Sequence, residues 1–225
     1  MSKRKSLTVL QLNDSHAYCD LHQEMFWQGG QAVYRPAGGF ARIATIVKKI
    51  PAANQGNTLF CDCGDTLHGT HPAQMTQGEA LIPILNSLGL DAMTAPWEFA
   101  YGPETFKQCA AKLNYPMLAI NVFDQASKEL FFPPYRVKEI GGLRIGLIGI
   151  ASNIVDKAMP PAFSEGIYFT LGREELPSTI DILRTQEKVD LVVLISHLGF
   201  PQDMKLVSEV QGIDVCLSGH THHRL

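Results

Sequence analysis

Residues 59–69 read Leu-Phe-Cys-Asp-Cys-Gly-Asp-Thr-Leu-His-Gly, an apolar run that ends in a Gly-Asp turn signal. The apolar part predicts a buried strand, and Gly64 permits a sharp turn after it because glycine has no Cβ that clashes at positive φ. Asp65 is therefore expected at the carboxyl end of the strand, where open α/β sheets place their ligands. Its two oxygens could bridge two cations, although a Gly-Asp pair alone more often caps a turn.

Four predicted strands end in side chains that can bind metals. In chain order, these strand ends carry Asp14 and His16, then Asp65, then His197, and finally His220 and His222. Taken singly, each is more readily explained as a structural residue of a turn or core. Together, two carboxylates and four imidazoles suit Mn, Fe, Zn or Co better than Ca or Mg alone. Their number fits two metals with open coordination positions.

Strands and helices alternate along the chain, and the predicted strands are near-continuous apolar runs. This pattern favours an α/β protein whose sheets are largely covered by helices. Two segments, 18–37 and 152–172, fit neither period and are expected to be long surface excursions. The 225 residues contain no internal repeat or evident linker, so one domain is expected.

The bulk composition excludes several classes of protein. A net charge of −3 and a pI near 6.2 indicate neither a nucleic-acid partner nor a membrane surface. No apolar run approaches membrane-spanning length, and the N-terminal apolar run is too short and polar for a signal peptide. Cys61 and Cys63 are expected to be reduced thiols, which favours a cytoplasmic location. A zinc site at this pair is the alternative, but no second pair follows at suitable spacing.

Four short motifs in this sequence resemble those of the calcineurin-like metallophosphoesterases. They are Asp14-Ser15-His16, Gly64-Asp65, Ser196-His197 and Gly219-His220-Thr221-His222. Three further stretches resemble the 5′-nucleotidase branch of that superfamily, namely residues 12–16, Gly38-Gly39-Phe40-Ala41-Arg42 and Asn121-Val122. The resemblance covers nearly the whole chain, and the motifs are specific in combination.

This resemblance implies a four-layer α/β/β/α sandwich with two divalent transition metals, Mn, Zn, Fe or Co, between the strand ends. It also implies hydrolysis of a phosphoester by a metal-activated hydroxide. The implied ligands are Asp14, His16 and His222 for one metal, His197 and His220 for the other, and Asp65 as the bridge. Arg42 and Asn121 are predicted to contact the substrate, a small phosphorylated molecule such as a nucleotide.

The remaining family motif is altered in this chain. The family has Gly-Asn-His followed by Glu or Asp, where this sequence has Ala95-Pro96-Trp97-Glu98. Pro96 replaces a metal-binding Asn and offers no side-chain ligand, and Trp97 replaces a His that assists phosphoryl transfer. Loss of a general acid costs about 10²–10⁴-fold in rate, so the catalytic residue is left unassigned. His68 or a water could fill the ligand position, the alternative being that His68 is a solvated turn residue.

Two other functions compete with a phosphoesterase. The run Trp97-Glu98-Phe99 resembles the His-Trp-Glu-Phe stretch of bacterial thiosulfohydrolases, which cleave a sulfur–sulfur bond and release sulfate. In the alternative, Trp97 is a core aromatic residue. The altered motif also fits a degenerate domain that binds a metal or an anion without turnover.

The sequence stops at Leu225, shortly after the last motif. In the family further strands follow, and nucleotidases add a domain that holds the nucleoside. We therefore expect residues 1–225 to be a catalytic domain, truncated after the Gly-His-Thr-His motif and without a C-terminal nucleotide-binding domain. The unfinished sheet edge would favour a homo-oligomer.

Overall fold

The computed structural model describes residues 5–54, 56–95 and 97–222. Pro96, and with it the predicted loss of a metal ligand there, lies outside the described residues. The strands are β1 Thr8–Leu12, β2 His22–Gln28, β3 Gln31–Ala37, β4 Thr58–Asp62, β5 Ala92–Thr94, β6 Met117–Leu118, β7 Val122–Asp124, β8 Tyr135–Ile140, β9 Leu143–Ile150, β10 Ile167–Phe169, β11 Leu191–Ser196 and β12 Val215–Ser218. The α-helices are α1 Phe40–Ala53, α2 His71–Met75, α3 Ile82–Leu88, α4 Pro103–Ala110, α5 Val155–Ala158, α6 Leu176–Asp181 and α7 Phe200–Glu209.

Two four-stranded sheets form the centre of the molecule. The first has the order β1-β4-β5-β6, with every neighbouring pair parallel. The second has the order β12-β11-β9-β8, in which only the β8–β9 hairpin is antiparallel. Parallel strands need covered faces, which explains why strands such as β11 are almost wholly apolar.

The two sheets pack face to face, and helices cover their outer faces. The layer between the sheets contains, among others, Leu59, Cys61, Leu118, Leu147, Val193 and Ile195. The outer face of the first sheet packs against α1, α3 and α4 through residues that include Phe60, Met93, Val47, Leu85 and Phe106. On the second sheet, α6 and α7 pack through residues that include Ile148, Leu194, Ile180 and Leu206. The predicted four-layer α/β/β/α sandwich is confirmed.

The two sheets lie in direct backbone contact where β6 meets β9. A Cβ atom added to Gly149 would lie 2.1 Å from the carbonyl oxygen of Leu118, a backbone atom that cannot move aside. The Ile120 N–H also donates to the Gly149 carbonyl at 2.9 Å. Only glycine fits at this contact, and it helps to set the spacing of the two sheets.

Both predicted surface excursions contain regular structure, which the sequence pattern did not indicate. In the first, β2 and β3 form an antiparallel hairpin of seven paired positions. Most of its side chains face solvent, and Trp27 is 75% exposed. The hairpin therefore lacks the apolar alternation by which a strand is recognised in a sequence. In the second, α5 is followed by β10, which pairs with β7.

All five cysteines are unpaired, as predicted for Cys61 and Cys63. The cytoplasmic location inferred from them stays a prediction. Among the described residues, no helix combines the length and apolar character needed to cross a bilayer. Within that same part of the chain β12 lies at the edge of its sheet, and association along this edge stays a prediction.

Candidate metal centre

The loops that follow β1, β4 and β12 are tied to one another by hydrogen bonds that backbone N–H groups donate. The N–H of Asp14 donates to the Gly64 carbonyl, and the N–H of His16 donates to the Asp65 carbonyl, both at 2.8 Å. Across the sheets, the N–H of His220 donates to Asp14 Oδ2 at 2.9 Å. These bonds bring loops from both sheets to one point, because the carboxyl ends of the four strands lie at the same edge.

All six side chains predicted as ligands lie at this point. Asp14, His16 and His222 form an outer group, and Asp65, His197 and His220 form an inner group. Within each group the potential ligand atoms lie within 4.8 Å of one another. A third set combines His16 and Asp65 with His68, so that Asp65 and His16 each belong to two sets. The assignment of these residues as ligands stays a prediction.

Several of these atoms converge without forming hydrogen bonds. Asp14 Oδ1, His197 Nε2 and His220 Nδ1 are buried and have no hydrogen-bond partner among the described residues. Asp14 Oδ1 nevertheless lies 3.2 Å from His222 Nε2 and 3.9 Å from His197 Nε2. Burying a polar atom without a partner costs about 1–3 kcal/mol, so such atoms need an explanation. A metal ion fits them, and the set of imidazoles and carboxylates suits Mn, Fe, Zn or Co.

The two groups differ in burial. The His197 side chain is fully buried, whereas that of His222 is 58% exposed. His197 Nδ1 donates to the carbonyl of Cys63 at 2.6 Å, which leaves Nε2 facing Asp65 Oδ2 at 3.4 Å. The ring of His197 is therefore oriented by the protein before any metal binds.

Burial and neighbouring charges shift the pKa values of the centre in opposite directions. Burial lowers the pKa of His16 and of His220, which favours the neutral imidazole that binds metals. Burial opposes charge on Asp65 as well, but the His197 and His68 imidazoles beside it outweigh this effect and lower the pKa of this carboxyl. Asp65 is therefore ionised at neutral pH.

The backbone is strained at five of the six predicted ligands. Left-handed φ values occur at Asp14 (52°), His16 (48°), Asp65 (55°), His220 (78°) and His222 (51°). For a residue other than glycine, this conformation costs roughly 1–2 kcal/mol. Such strain is typical of functional sites, where the surrounding structure holds it.

Asp203 supports the inner group from helix α7, and sequence reasoning missed it. Its two carboxylate oxygens accept hydrogen bonds from the hydroxyls of Ser196 and Ser218, each at 2.5 Å. These serines stand at the ends of β11 and β12, directly before the segments that carry His197 and His220. No local sequence signal identifies Asp203, because its partners come from two other elements.

Two further buried carboxylates hold the turn at Asp65. Asp62 accepts hydrogen bonds from the Gly64 N–H and the Thr66 hydroxyl, both at 2.8 Å, and burial raises its pKa to about 7. Glu98 accepts from the backbone N–H groups of Thr66 and Leu67 at 2.7 and 3.0 Å. Burial also raises the pKa of Glu98. The altered motif therefore still anchors the turn through its glutamate.

Trp97 borders the cluster and is not a residue of the core. Its backbone N–H donates to Asp65 Oδ1 at 3.1 Å, and its ring lies 6.5 Å from that of His68. An open cleft of about 330 Å³ is lined by His16, Asp65, His68, Trp97 and His220. A substrate that reached the inner group through this cleft would contact the indole ring.

The two residues predicted to contact substrate lie outside the cluster. Arg42 is exposed, and its guanidinium donates to the carbonyl of Pro36 at 3.5 Å. Asn121 is fully buried, and its amide nitrogen donates to the carbonyls of Ala151 and Thr170 while its oxygen accepts from the Ala151 N–H. In this structure the Asn121 amide therefore joins backbone segments, and a substrate role for either residue stays a prediction.

The sandwich with ligand-bearing strand ends defines a class of metal-dependent hydrolases. Residues 7–224 match the calcineurin-like phosphoesterase family, and the chain belongs to this family. It is 29% identical over 224 residues to a probable 5′-nucleotidase of Treponema pallidum, a match that covers 97% of this chain and 37% of the relative. It is 31% identical over 227 residues to a snake venom 5′-nucleotidase of Naja atra, with 96% and 41% covered. The chain thus spans less than half of these curated relatives.

Solved structures with a similar fold include both a sulfur hydrolase and a nucleotidase. The sulfate thiohydrolase SoxB of Thermus thermophilus, solved with glycerol, superposes with a TM-score of 0.89 at 25% identity, covering all of this chain and 50% of SoxB. A 5′-nucleotidase precursor, also of Thermus thermophilus, gives a TM-score of 0.83 at 27% identity, with 96% and 42% covered. The chain is therefore similar both to nucleotidases and to a sulfur hydrolase.

Proposed function

We propose that this chain is the catalytic domain of a metal-dependent phosphoester hydrolase of 5′-nucleotidase type. The observation that carries the proposal is the convergence of two carboxylates and four imidazoles at four strand ends, with buried atoms that have no other partner among the described residues. Membership of the calcineurin-like phosphoesterase family and the similarity to 5′-nucleotidases support this choice. A nucleotide is the proposed substrate, and two metals per chain, manganese among the candidates, are part of the proposal.

In this proposal some residues of the centre bind the metals, and others line the cleft through which the substrate enters. Divalent metals bound here would supply Lewis acidity, which polarises phosphoryl oxygens and lowers the pKa of water. The ionised Asp65 carboxylate belongs to the inner group and also lies near His16 of the outer group, so it could serve both metals. The open cleft beside Trp97 leaves room for a phosphoryl group next to Asp65. The indole ring can pack against an organic group but cannot accept a proton on nitrogen.

Metal content and phosphate release, measured together, test this proposal. Protein purified without chelator is analysed for metals, and phosphate release is followed with nucleoside 5′-monophosphates and an aryl phosphate. We expect about two metals per chain and Mn- or Co-dependent release, as a two-metal mechanism requires. Asp65→Asn should abolish the release. Exposed His71, which belongs to none of the three ligand sets, supplies the control His71→Ala. A metal-loaded protein that releases no phosphate from any of these substrates would contradict the proposal.

A second candidate function is hydrolysis of a sulfur–sulfur bond. Two observations favour it: the TM-score of 0.89 with the sulfate thiohydrolase SoxB, and the position of Trp97 at the cluster where the nucleotidase motif has a histidine. Sulfate release from a thiosulfonate, with no phosphate release from nucleotides, would establish this activity in place of the first. A protein that binds metal and turns over neither substrate would be the degenerate domain.

A further inference from the structure

His68 lies in the loop between Asp65 and helix α2, and its ring points into the cluster. Its Nε2 atom is 3.1 Å from Asp65 Oδ1, and its ring stands edge-on to that of His16, with centroids 5.3 Å apart. The side chain is 17% exposed and lines the open cleft beside Trp97. This is not the environment of a solvated turn residue.

The loop that carries His68 is fixed on both sides. Before it, the Leu67 N–H donates to buried Glu98 at 3.0 Å, and the Leu67 carbonyl accepts from the Tyr101 hydroxyl at 3.1 Å. After it, a Cβ atom added to Gly69 would lie 2.7 Å from the His16 carbonyl oxygen. Gly69 has a φ of 116°, so both its conformation and its contact require glycine. The loop is therefore packed directly against the segment that carries His16.

The hydrogen bond to Asp65 does not by itself account for this arrangement. Asp65 Oδ1 already accepts the backbone N–H of Trp97 at 3.1 Å, so it has a donor without His68. The candidate ligand atoms of His16, Asp65 and His68 lie within 4.8 Å of one another, as in the outer and inner groups. Three side chains at this spacing can point at one ion, and that ion would face the open cleft.

We propose that His68 is a metal ligand of this chain, which binds an ion together with Asp65 and His16. The inference rests on the proposed metal centre and adds a ligand to it. It would give the chain an imidazole ligand on the Trp97 side of the centre. Because His16 belongs to the outer group and Asp65 to the inner group, His68 would add a ligand to an ion of this same two-metal centre and would not create a third site.

Cobalt substitution tests this assignment directly. The chelator-stripped protein is titrated with Co²⁺, and the hyperfine-shifted imidazole N–H protons of ligated histidines are counted by proton NMR. We expect His68→Ala to lose one shifted signal and to bind Co²⁺ at least about tenfold more weakly. A ligand should contribute at least as much to metal affinity as a residue that only hydrogen-bonds to a ligand. His71→Ala should match the wild type in both measurements.

A second variant separates a ligand from a residue that only positions Asp65. His68→Gln keeps an N–H donor for Asp65 but has no imidazole. A ligand role predicts that His68→Gln also loses the shifted signal, whereas a positioning role predicts wild-type signals and affinity. If both variants keep every signal and bind Co²⁺ normally, His68 is not a ligand. If the wild type binds no Co²⁺, the proposed metal centre itself fails.

Discussion

The outer and inner groups of the metal centre contain the same kinds of side chain but differ in what holds them. His197 of the inner group is fully buried, donates to the Cys63 carbonyl, and follows a strand that Asp203 fastens through Ser196. His222 of the outer group is 58% exposed and contacts Asp14 and His16. His197 is thus oriented by the folded core, whereas the orientation of His222 depends on other members of the outer group and on any ion they bind.

This difference indicates which ligands affect both the stability of the fold and metal binding, and which affect metal binding alone. Ligands that the core orients need little rearrangement when an ion arrives, and their loss also disturbs the fold. Ligands at the surface can move, and their loss should leave the fold intact. The two groups should therefore respond differently to substitution, except at Asp65, which both proposed metals share.

The largest effect is expected from Asp65→Asn, which should weaken metal binding by the outer and the inner group alike. If Asp65 bridges two metals, the variant should bind both metals more than about 10²-fold more weakly. This exceeds the roughly 10–100-fold loss that follows removal of a residue that only hydrogen-bonds to a metal ligand. Elemental analysis and Co²⁺ titration of the purified variant measure this loss. One metal retained per chain at wild-type affinity would show that the outer group works alone.

Asp203→Asn should weaken the inner group alone. An amide cannot accept hydrogen bonds at both ends, so one of the hydroxyls of Ser196 and Ser218 would lose its acceptor. We expect the metal affinity of the inner group to fall roughly 10–100-fold, as is typical when a residue that supports metal ligands without binding the metal is replaced. Calorimetric titration with Co²⁺ should show one weakened binding phase and one unchanged phase. Exposed Gln202 on the same helix supplies the control Gln202→Ala, and equal weakening of both phases would contradict the prediction.

Two alanine substitutions compare the groups in the metal-free protein. His197→Ala should lower the free energy of unfolding by about 1–3 kcal/mol, because the buried Cys63 carbonyl loses the side-chain N–H that it accepts. His222→Ala should change it by less than about 0.5 kcal/mol, as is usual for exposed positions. Urea unfolding in the presence of a chelator measures both values. Equal effects of the two substitutions would mean that burial does not distinguish the groups.

A further prediction concerns the pH dependence of stability beneath the centre. The pKa of Asp62 is raised from 3.8 to about 7, so between these values the folded state binds more protons than the unfolded state. The free energy of unfolding should therefore fall as pH rises through this range. Asp62→Asn cannot ionise, and its stability relative to the wild type should increase from about pH 5 to about pH 8. Urea unfolding of metal-free protein at the two pH values tests this, and a constant difference would contradict it.

Local patterns in the sequence predict an α/β protein and the candidate ligands at its strand ends, whereas the four-layer sandwich was implied by the family resemblance. Apolar runs mark the central strands, and the residues directly after them lie at the carboxyl ends of parallel strands, Asp14 in the first sheet and His197 in the second. The β2–β3 hairpin was not predicted, because side chains such as Trp27 face solvent and show no buried face. Asp203 could not be predicted, because its role depends on where α7 packs relative to Ser196 and Ser218. The orientation of His68 likewise depends on contacts that its loop makes with distant parts of the chain.

The left-handed turns at Asp14, His16, Asp65, His220 and His222 bear on how such a centre persists as sequences diverge. Asparagine, aspartate and histidine are the residues other than glycine that adopt this conformation most readily. Aspartate and histidine are also the residue types that ligate transition metals. Selection for the backbone turn and selection for the ligand therefore favour the same few amino acids. A lineage that lost its metal could keep aspartate and histidine at these positions for conformational reasons, and would need few substitutions to recover the metal.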